Sequence, residues 1–240
     1  MTSSIDRVAP TRRPEGKSAG SQNWRELLFV HWAVPVERLR PLIPEALELD
    51  LHEGVAWVGA VPFVMEDVRP WWLPGAMAFN FLETNLRAYV VHKGEPGVFF
   101  FSLEAASWLA VRAARTGWGL PYHHAAMRLT HEDGVAHYRT ERRGAPSALL
   151  DVRYKLGEVL GPSAPGTLEH FLLERYLLFV ERGGRILRGQ IHHTPYPAQR
   201  AEVISISEGL FEAAGLPSTQ GPPALVHYAS GVDVEVFALR

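Results

Sequence analysis

Residues 78–91 read AFNFLETNLRAYVV, and after the turn-forming stretch His92-Lys93-Gly94-Glu95-Pro96-Gly97 the chain continues as VFFFSLEA at 98–105. Both segments are rich in the aromatic and β-branched residues that favour strands. A short glycine-containing connection between two such runs is typical of a β-hairpin. This stretch therefore predicts a pair of long antiparallel strands.

The remainder of the chain repeats this strand-and-turn pattern. Further strand-like segments occur at 24–34, 55–64 and 148–157, and Asp133-Gly134 lies between two alternating runs, which is a strong hairpin signal. Helical composition occurs only in short segments, at 36–43, where Pro41 disturbs it, and at 105–115, 167–176 and 205–215. The sequence therefore predicts a mostly β fold, an antiparallel cone or barrel with a few short helices. A β-rich α+β fold is the alternative.

Composition limits the domain organisation and the functional classes. The chain has 240 residues, a formal net charge of −2 and no cysteine. No apolar run approaches the ~18 residues of a membrane-spanning helix, and no net positive charge would recruit nucleic acid. Residues 1–22 are rich in Ser, Arg, Pro and Gly, which predicts a flexible tail before a single domain at 23–240. The absence of cysteine fits a reducing cytoplasm.

The strand at 79–91 carries the most informative polar pattern. Side chains alternate across a strand, so Glu83, Asn85 and Arg87 share one face with flanking aromatic residues. Glu83 and Arg87 are ~13 Å apart along the strand and cannot pair directly there. The row is either a solvated face with separate ion pairs or the polar wall of a pocket.

The histidines do not form a recognisable metal motif. His123-His124 and His192-His193 are adjacent pairs, and neighbouring side chains on a strand point to opposite faces. No compact ligand spacing is present, so neither a metal nor another cofactor is expected. Among these residues His123 is the one that follows the segment Gly119-Leu120-Pro121-Tyr122.

Several ordered motifs resemble one known family. They are FVHWAVPVERLRPLIPEALELD at 29–50, AWVGAVPF at 56–63, FLETNLRAYV at 81–90, GVFFFSLEAAS at 97–107, GLPYHHAAM at 119–127 and HHTPYPAQRAEV at 192–203. Together they resemble the YqjF-like family of uncharacterised bacterial proteins, a branch of the acetoacetate decarboxylase-like superfamily. The resemblance implies a β cone or barrel with a central pocket.

The resemblance also implies roles for particular residues. Glu83 has the aromatic-x-Glu context of a decarboxylase-like glutamate, and Arg87 follows the YqjF-like pattern. Decarboxylases form a Schiff base through a lysine after a Gly-x-Pro turn, whereas here Tyr122 and His123 follow Pro121. Histidine cannot replace that lysine, because the imine requires a primary amine. We therefore expect the fold without the decarboxylase reaction.

The functional prediction is a pocket for a small, anionic organic molecule. Glu83 and His123 are the candidate acid or base groups, and Arg87, Asn85 and Tyr122 are the candidate ligand-binding groups. A non-catalytic binding or sensing module and a structural protein with a vestigial pocket are the alternatives. Whether the protein is an enzyme, and whether it forms a homo-oligomer, is left open by the sequence.

Overall fold

A computed structural model describes residues 5–219 and 221–240 of the chain. Its described part is mostly β, as the sequence predicts, and its twelve strands hydrogen-bond into one continuous sheet. The strands are β1 Gly20–Val34, β2 Glu48–Leu49, β3 Ala56–Pro70, β4 Phe79–His92, β5 Glu95–Ala105, β6 Tyr122–Glu132, β7 Val135–Arg142, β8 Leu149–Gly161, β9 Leu177–Arg182, β10 Arg185–His192, β11 Ala198–Glu208 and β12 Leu225–Val236.

The helices are short and lie between strands. They are α1 Val36–Leu39, α2 Trp108–Trp118, α3 Leu168–Leu173 and α4 Leu210–Ala213, with single 3-10 turns at Ala9–Thr11, Arg40–Leu42 and Gly75–Met77. Helix α2 begins at the cap Ser107, whose hydroxyl accepts from the Ala110 N–H, and ends before Gly119. Gly119 has φ +69°, a left-handed conformation that suits glycine and ends the helix. None of the helices in the described ranges is long and apolar enough to cross a membrane.

The strand pairings close into two rings that share a wall. Strands β12, β1, β3, β4 and β5 are consecutive neighbours, and their two ends are joined in two ways. One connection runs through β6, β7, β8 and β11, and the other through β9 and β10. Most pairings are antiparallel, but β5 pairs in parallel with both β6 and β9. The sheet therefore branches at β5.

The shared wall is buried on both of its faces. On β4, the side chains of Thr84, Leu86 and Ala88 are fully buried, and the last two belong to the largest hydrophobic cluster. The Thr84 hydroxyl lies 2.8 Å from that of Thr140 on β7, across the ring that contains β6–β8. Alternation then directs residues 83, 85 and 87 toward the opposite ring.

The structure contains the two hairpin turns that the sequence predicts. Asp133 and Gly134 both have positive φ, 50° and 75°, and join β6 to β7 as predicted. The turn after β4 is likewise tight, with Lys93 and Gly94 at its centre, so β5 begins at Glu95 inside the segment predicted as a turn.

The predicted helix at 205–215 is largely wrong. Residues 205–208 instead extend β11, where Ile206 pairs with Val152 of β8, and α4 spans only Leu210–Ala213. Pairing with β8 satisfies the backbone groups of this segment and overrides its helical composition.

The N-terminal segment makes specific contacts with the sheet. Strand β1 begins at Gly20, three residues before the predicted domain boundary, and the Ala19 N–H donates to the Val236 carbonyl at 2.7 Å. Farther upstream, Arg7 forms an ion pair with the buried Asp50, and Arg13 pairs with Glu235 at 2.6 Å. Residues 1–4 lie outside the described ranges. The flexibility of residues 1–22 therefore stays a prediction.

Candidate functional site

A cavity of about 160 Å³ lies against the shared wall, inside the ring that contains β9 and β10. Its apolar surface comes mainly from β1, β3, β5 and α2, and polar side chains enter from β1, from β4 and from three later segments. The polar and ionisable groups at its surface are Gln22, Glu83, Asn85, Arg87, Tyr122, Arg175, Tyr176 and Tyr196. This arrangement of apolar walls with a few convergent polar groups is typical of small-molecule sites.

Strand β4 places three of the predicted residues in this cavity. Glu83, Asn85 and Arg87 are only 3%, 6% and 7% exposed, so they do not form a solvated face. Glu83 is paired with Phe63 of β3 and Asn85 with Val61, which surrounds the polar row with apolar neighbours. The buried Asn85 Oδ1 has no hydrogen-bond partner. The alternation therefore brings the three polar side chains to one surface.

Glu83 is held by Tyr122, the first residue of β6. The Tyr122 hydroxyl donates to Glu83 Oε2 at 2.8 Å. Burial raises the pKa of Glu83 to about 8; the hydrogen bond from Tyr122 opposes this shift, and the charge of Glu104 adds to it. At pH 7 the Glu83 carboxyl is consequently neutral. It can act there as a proton donor.

Arg87 is a buried guanidinium held by neutral groups. Its Nη2 donates to the Leu172 carbonyl at 3.0 Å, and the Tyr89 hydroxyl donates to the same carbonyl at 2.9 Å. His31 Nε2 lies 2.7 Å from the Tyr89 hydroxyl, so this imidazole donates and fixes the tyrosine orientation. Arg87 has no carboxylate ion-pair partner in residues 5–219 and 221–240, and its buried Nε is unpaired.

A second guanidinium, which the sequence analysis missed, also reaches the cavity. Arg175 donates from Nη1 to Asp50 at 2.7 Å and from Nε to the Phe171 carbonyl at 2.6 Å. Both partners of the ion pair are almost fully buried. The available signal was the charged pair Glu174-Arg175 inside the apolar run LLERYLLFV at 172–180. Because α3 ends at Leu173, Arg175 leaves the predicted helix and turns inward.

His123 is not among the residues that line this cavity. It is the neighbour of Tyr122 on β6 and pairs in register with Glu104 of β5, so alternation directs it to the other face. There Glu104 and Arg142 form a buried ion pair. Burial lowers the pKa of His123 to about 4, and the positive charges of Arg142 and Arg115 act in the same direction. The structure thus brings together four of the five predicted site residues.

The three lysines of the chain lie outside the cavity. Lys17, Lys93 and Lys155 are all exposed, and Lys155 pairs across the sheet with Val135 and Glu202. None of them lines the cavity. Within the part of the chain that the structure describes, no cluster of three or more His, Asp or Glu side chains could hold a metal ion.

The closed sheet and the helix-covered cavity define an acetoacetate decarboxylase-like fold. Acetoacetate decarboxylase from Legionella pneumophila aligns with a TM-score of 0.62 and 16% identity, over 98% of this chain and 95% of that one. The enduracididine biosynthesis enzyme MppR, solved in complex with pyruvate, aligns with a TM-score of 0.67 and 11% identity, over 95% and 92%. At these identities the likeness concerns the fold alone.

Sequence relatives place the chain in one family. It belongs to DUF2071, described as an uncharacterized conserved protein family, whose model matches residues 21–233. It is also 36% identical to the "Uncharacterized protein YqjF" of Bacillus subtilis (strain 168) over 230 residues, covering 95% of this chain and 94% of that protein. The resemblance to the YqjF-like family is therefore confirmed, and the solved structures support the predicted acetoacetate decarboxylase-like fold.

Proposed function

We propose that the protein binds a small organic anion in the inner cavity, with Arg87 as the anion-binding group. The observation that carries this proposal is the state of Arg87, which is 7% exposed and has no carboxylate partner among the described residues. A buried charge without a counter-ion is costly, and an anionic ligand would offset that cost.

The other charges around the cavity support an anionic ligand. Arg175 is neutralised by Asp50, and Glu83 has a pKa raised to about 8 by burial, so Glu83 is uncharged at pH 7. The Arg87 charge is therefore left without a carboxylate counter-ion in the described ranges, and its guanidinium lies over the rings of Phe29 and Tyr89, 5.6 Å from each centroid. A planar guanidinium suits a carboxylate, which it binds through two parallel hydrogen bonds. Asn85 and Tyr122 line the same cavity and supply further hydrogen-bonding groups.

Calorimetric titration of the full chain with small carboxylates tests the proposal. Pyruvate, the compound in the MppR complex, and propionate are suitable probes, with propionamide as the uncharged control. Loss of hydrogen bonds to a charged group costs ~1.5–3 kcal/mol, so Arg87→Met should weaken carboxylate binding by about tenfold or more. Arg87→Lys, which keeps the charge but loses the planar fork, should weaken it less.

The matched control for these variants is Arg153→Met, at an exposed position on β8 outside the cavity. Its affinity for carboxylates should equal that of the wild type. If carboxylates fail to bind the wild type, or if Arg87→Met binds them as well as the wild type does, the anion-binding assignment is wrong.

We further propose that the protein forms no Schiff base with β-keto acids. The positions after Pro121 hold Tyr122 and His123, and all three lysines of the sequence are exposed. Borohydride treatment in the presence of acetoacetate, followed by peptide mass mapping, should give no reduced adduct. An adduct on Lys155 would contradict this proposal.

Proton transfer by Glu83 is the second candidate function. Its raised pKa and its contact with Tyr122 favour a general acid that is protonated at neutral pH. His123 lies on the other face of the sheet, so the proton-transfer role falls to Glu83 alone. In any turnover assay on a bound anion, Glu83→Gln should abolish the reaction but retain binding. Retained turnover in this variant would exclude Glu83 as the proton-transfer group, and a wild type without turnover would restrict the function to binding. Oligomeric state and cytoplasmic location stay predictions.

A further inference from the structure

A second cavity, of about 340 Å³, adjoins the inner one. The two share the wall residues Gln22, Met65, Ala114, Trp118, Tyr122 and Val236. The outer cavity lies between the ends of β1, β3 and β4 and the inner face of α2, to which Leu109, Ala110 and Ala113 belong. The two cavities are therefore adjacent, with these side chains between them.

The order of residues along β4 shows that the two cavities lie end to end. Phe79 and Phe81 line the outer cavity, whereas Glu83, Asn85 and Arg87 line the inner one. At ~3.3 Å per residue, the eight positions from Phe79 to Arg87 span ~26 Å. Arg87 therefore lies at the inner end of an elongated space whose outer end is bounded by Phe79.

The same order holds on β3. Met65 lines both cavities, with Val61 and Phe63 on the inner side and Val68 and Pro70 on the outer side. The pairing of Met65 with Phe81 aligns the outer portions of the two strands. Two neighbouring strands thus define the same axis through both cavities.

The two ends of this space differ in chemistry. The outer cavity is mainly apolar, and its one lining guanidinium among the described residues, Arg69, is paired with Asp67 at 3.2 Å. Its outer wall is open to solvent, since Phe79 is 39% and Leu109 57% exposed. Trp71 and Trp72, which directly follow the lining residue Pro70, are also exposed. Exposed apolar surface next to a cavity indicates an apolar ligand or partner.

We propose that the ligand of this site is an amphipathic carboxylate. Its head is held by Arg87, and its apolar tail passes Glu83 and Tyr122 into the outer cavity beneath α2. This inference rests on the proposed anion binding and deepens it, because a short acid would leave the apolar wall of the outer cavity in water. Burial of the tail there adds binding energy to that of the head group in the smaller inner cavity.

The test is a chain-length series of straight-chain carboxylates, from propionate to hexadecanoate, titrated into the full chain below their micellar concentrations. The longest members are needed because the space between Arg87 and Phe79 spans ~26 Å, so only their tails reach the outer cavity. Burial of one methylene should tighten binding about fourfold, until the tail reaches the exposed end near Phe79 and Leu109. Octan-1-ol, which has the same tail without the carboxylate, should bind at least tenfold more weakly than octanoate.

Ala110→Trp fills the outer cavity without touching the inner one, because Ala110 lines only the former. This variant should bind propionate and other short acids like the wild type, and it should lose the further gain in affinity of the longer acids whose tails reach the outer cavity. Thr116→Trp, on the exposed side of the same helix and outside both cavities, is the matched control and should keep the increase. Phe79→Ser is a second variant. It should reduce the gain in affinity with chain length without filling the outer cavity.

The outcomes separate the two proposals. If short acids bind in an Arg87-dependent way but longer acids bind no tighter, the proposal of an amphipathic ligand is wrong, whereas the proposal of anion binding stands. An increase with chain length that Ala110→Trp leaves unchanged would also refute the inference, because the tail would then lie elsewhere. If no carboxylate of any length binds, both proposals fail.

Discussion

Replacing Glu83 by glutamine should change the pH dependence of stability. The carboxyl ordinarily has a pKa of 4.5, and burial raises the pKa of Glu83 to about 8. Below pH 4.5 both the folded and the unfolded protein carry the proton, and Glu83 exerts no pH-dependent effect. Between pH 4.5 and 8 the unfolded chain releases this proton while the folded protein retains it, so stability falls as the pH rises.

The magnitude follows from the two pKa values. The interval between 4.5 and about 8 corresponds to a loss of about 5 kcal/mol in the free energy of unfolding. This loss accumulates at about 1.4 kcal/mol per pH unit. Glutamine cannot ionise, and its side-chain oxygen can still accept from the Tyr122 hydroxyl, which donates to Glu83 at 2.8 Å in the native protein. The Glu83→Gln variant should therefore gain stability relative to the wild type as the pH rises from 5 to 8.

Urea unfolding at pH 5, 6, 7 and 8 measures this difference directly. The other ionisable groups are common to both proteins, so their contributions cancel in the comparison. Glu132→Gln, at an exposed site, controls for the loss of a surface carboxylate. A difference between Glu83→Gln and wild type that stays constant from pH 5 to 8 would refute a protonated Glu83 in the folded protein.

Three further predictions concern stability. Asp50→Ala leaves the buried Arg175 without its carboxylate partner and should lower the free energy of unfolding in urea by ~3–5 kcal/mol. A loss below ~1 kcal/mol would show that the ion pair contributes little to stability. Deleting residues 1–18 removes the contacts of that segment with Asp50 and Glu235 and should lower Tm by ~2–4 °C, whereas an unchanged Tm would support a flexible tail. Gly59→Ala would place a Cβ 3.0 Å from the His31 ring and 3.3 Å from the Tyr89 hydroxyl, so we expect a loss of ~1–3 kcal/mol; wild-type stability would mean that both side chains relax freely.

The predictable part of the fold rests on local patterns. Period-two alternation places Glu83, Asn85 and Arg87 on one surface without knowledge of the partner strands. The turns at Lys93-Gly94 and Asp133-Gly134 depend on residues that accept positive φ, and the sequence shows such residues directly. Membership in the family also follows from the order of the motifs.

The remainder depends on contacts between distant parts of the chain. Arg175 reaches the cavity because Asp50, 125 positions earlier, holds it there, and no local pattern encodes this pair. Residues 205–208 become a strand because β8 is available to pair with them. His123 is separated from Tyr122 by the same alternation that groups the β4 residues, once the register of β6 with β5 is known.

The position of β4 between the two rings has a consequence for variation among relatives. Even-numbered residues from 84 to 88 are buried on the side of the largest hydrophobic cluster, to which Leu86 and Ala88 belong, whereas odd-numbered residues from 83 to 87 line the cavity. A slip of one residue in the pairing of β4 would exchange the two sets and bury a guanidinium among aliphatic side chains. The ligand preference can therefore diverge by substitution at odd positions, but an insertion or deletion within this strand would destroy the core and the cavity together.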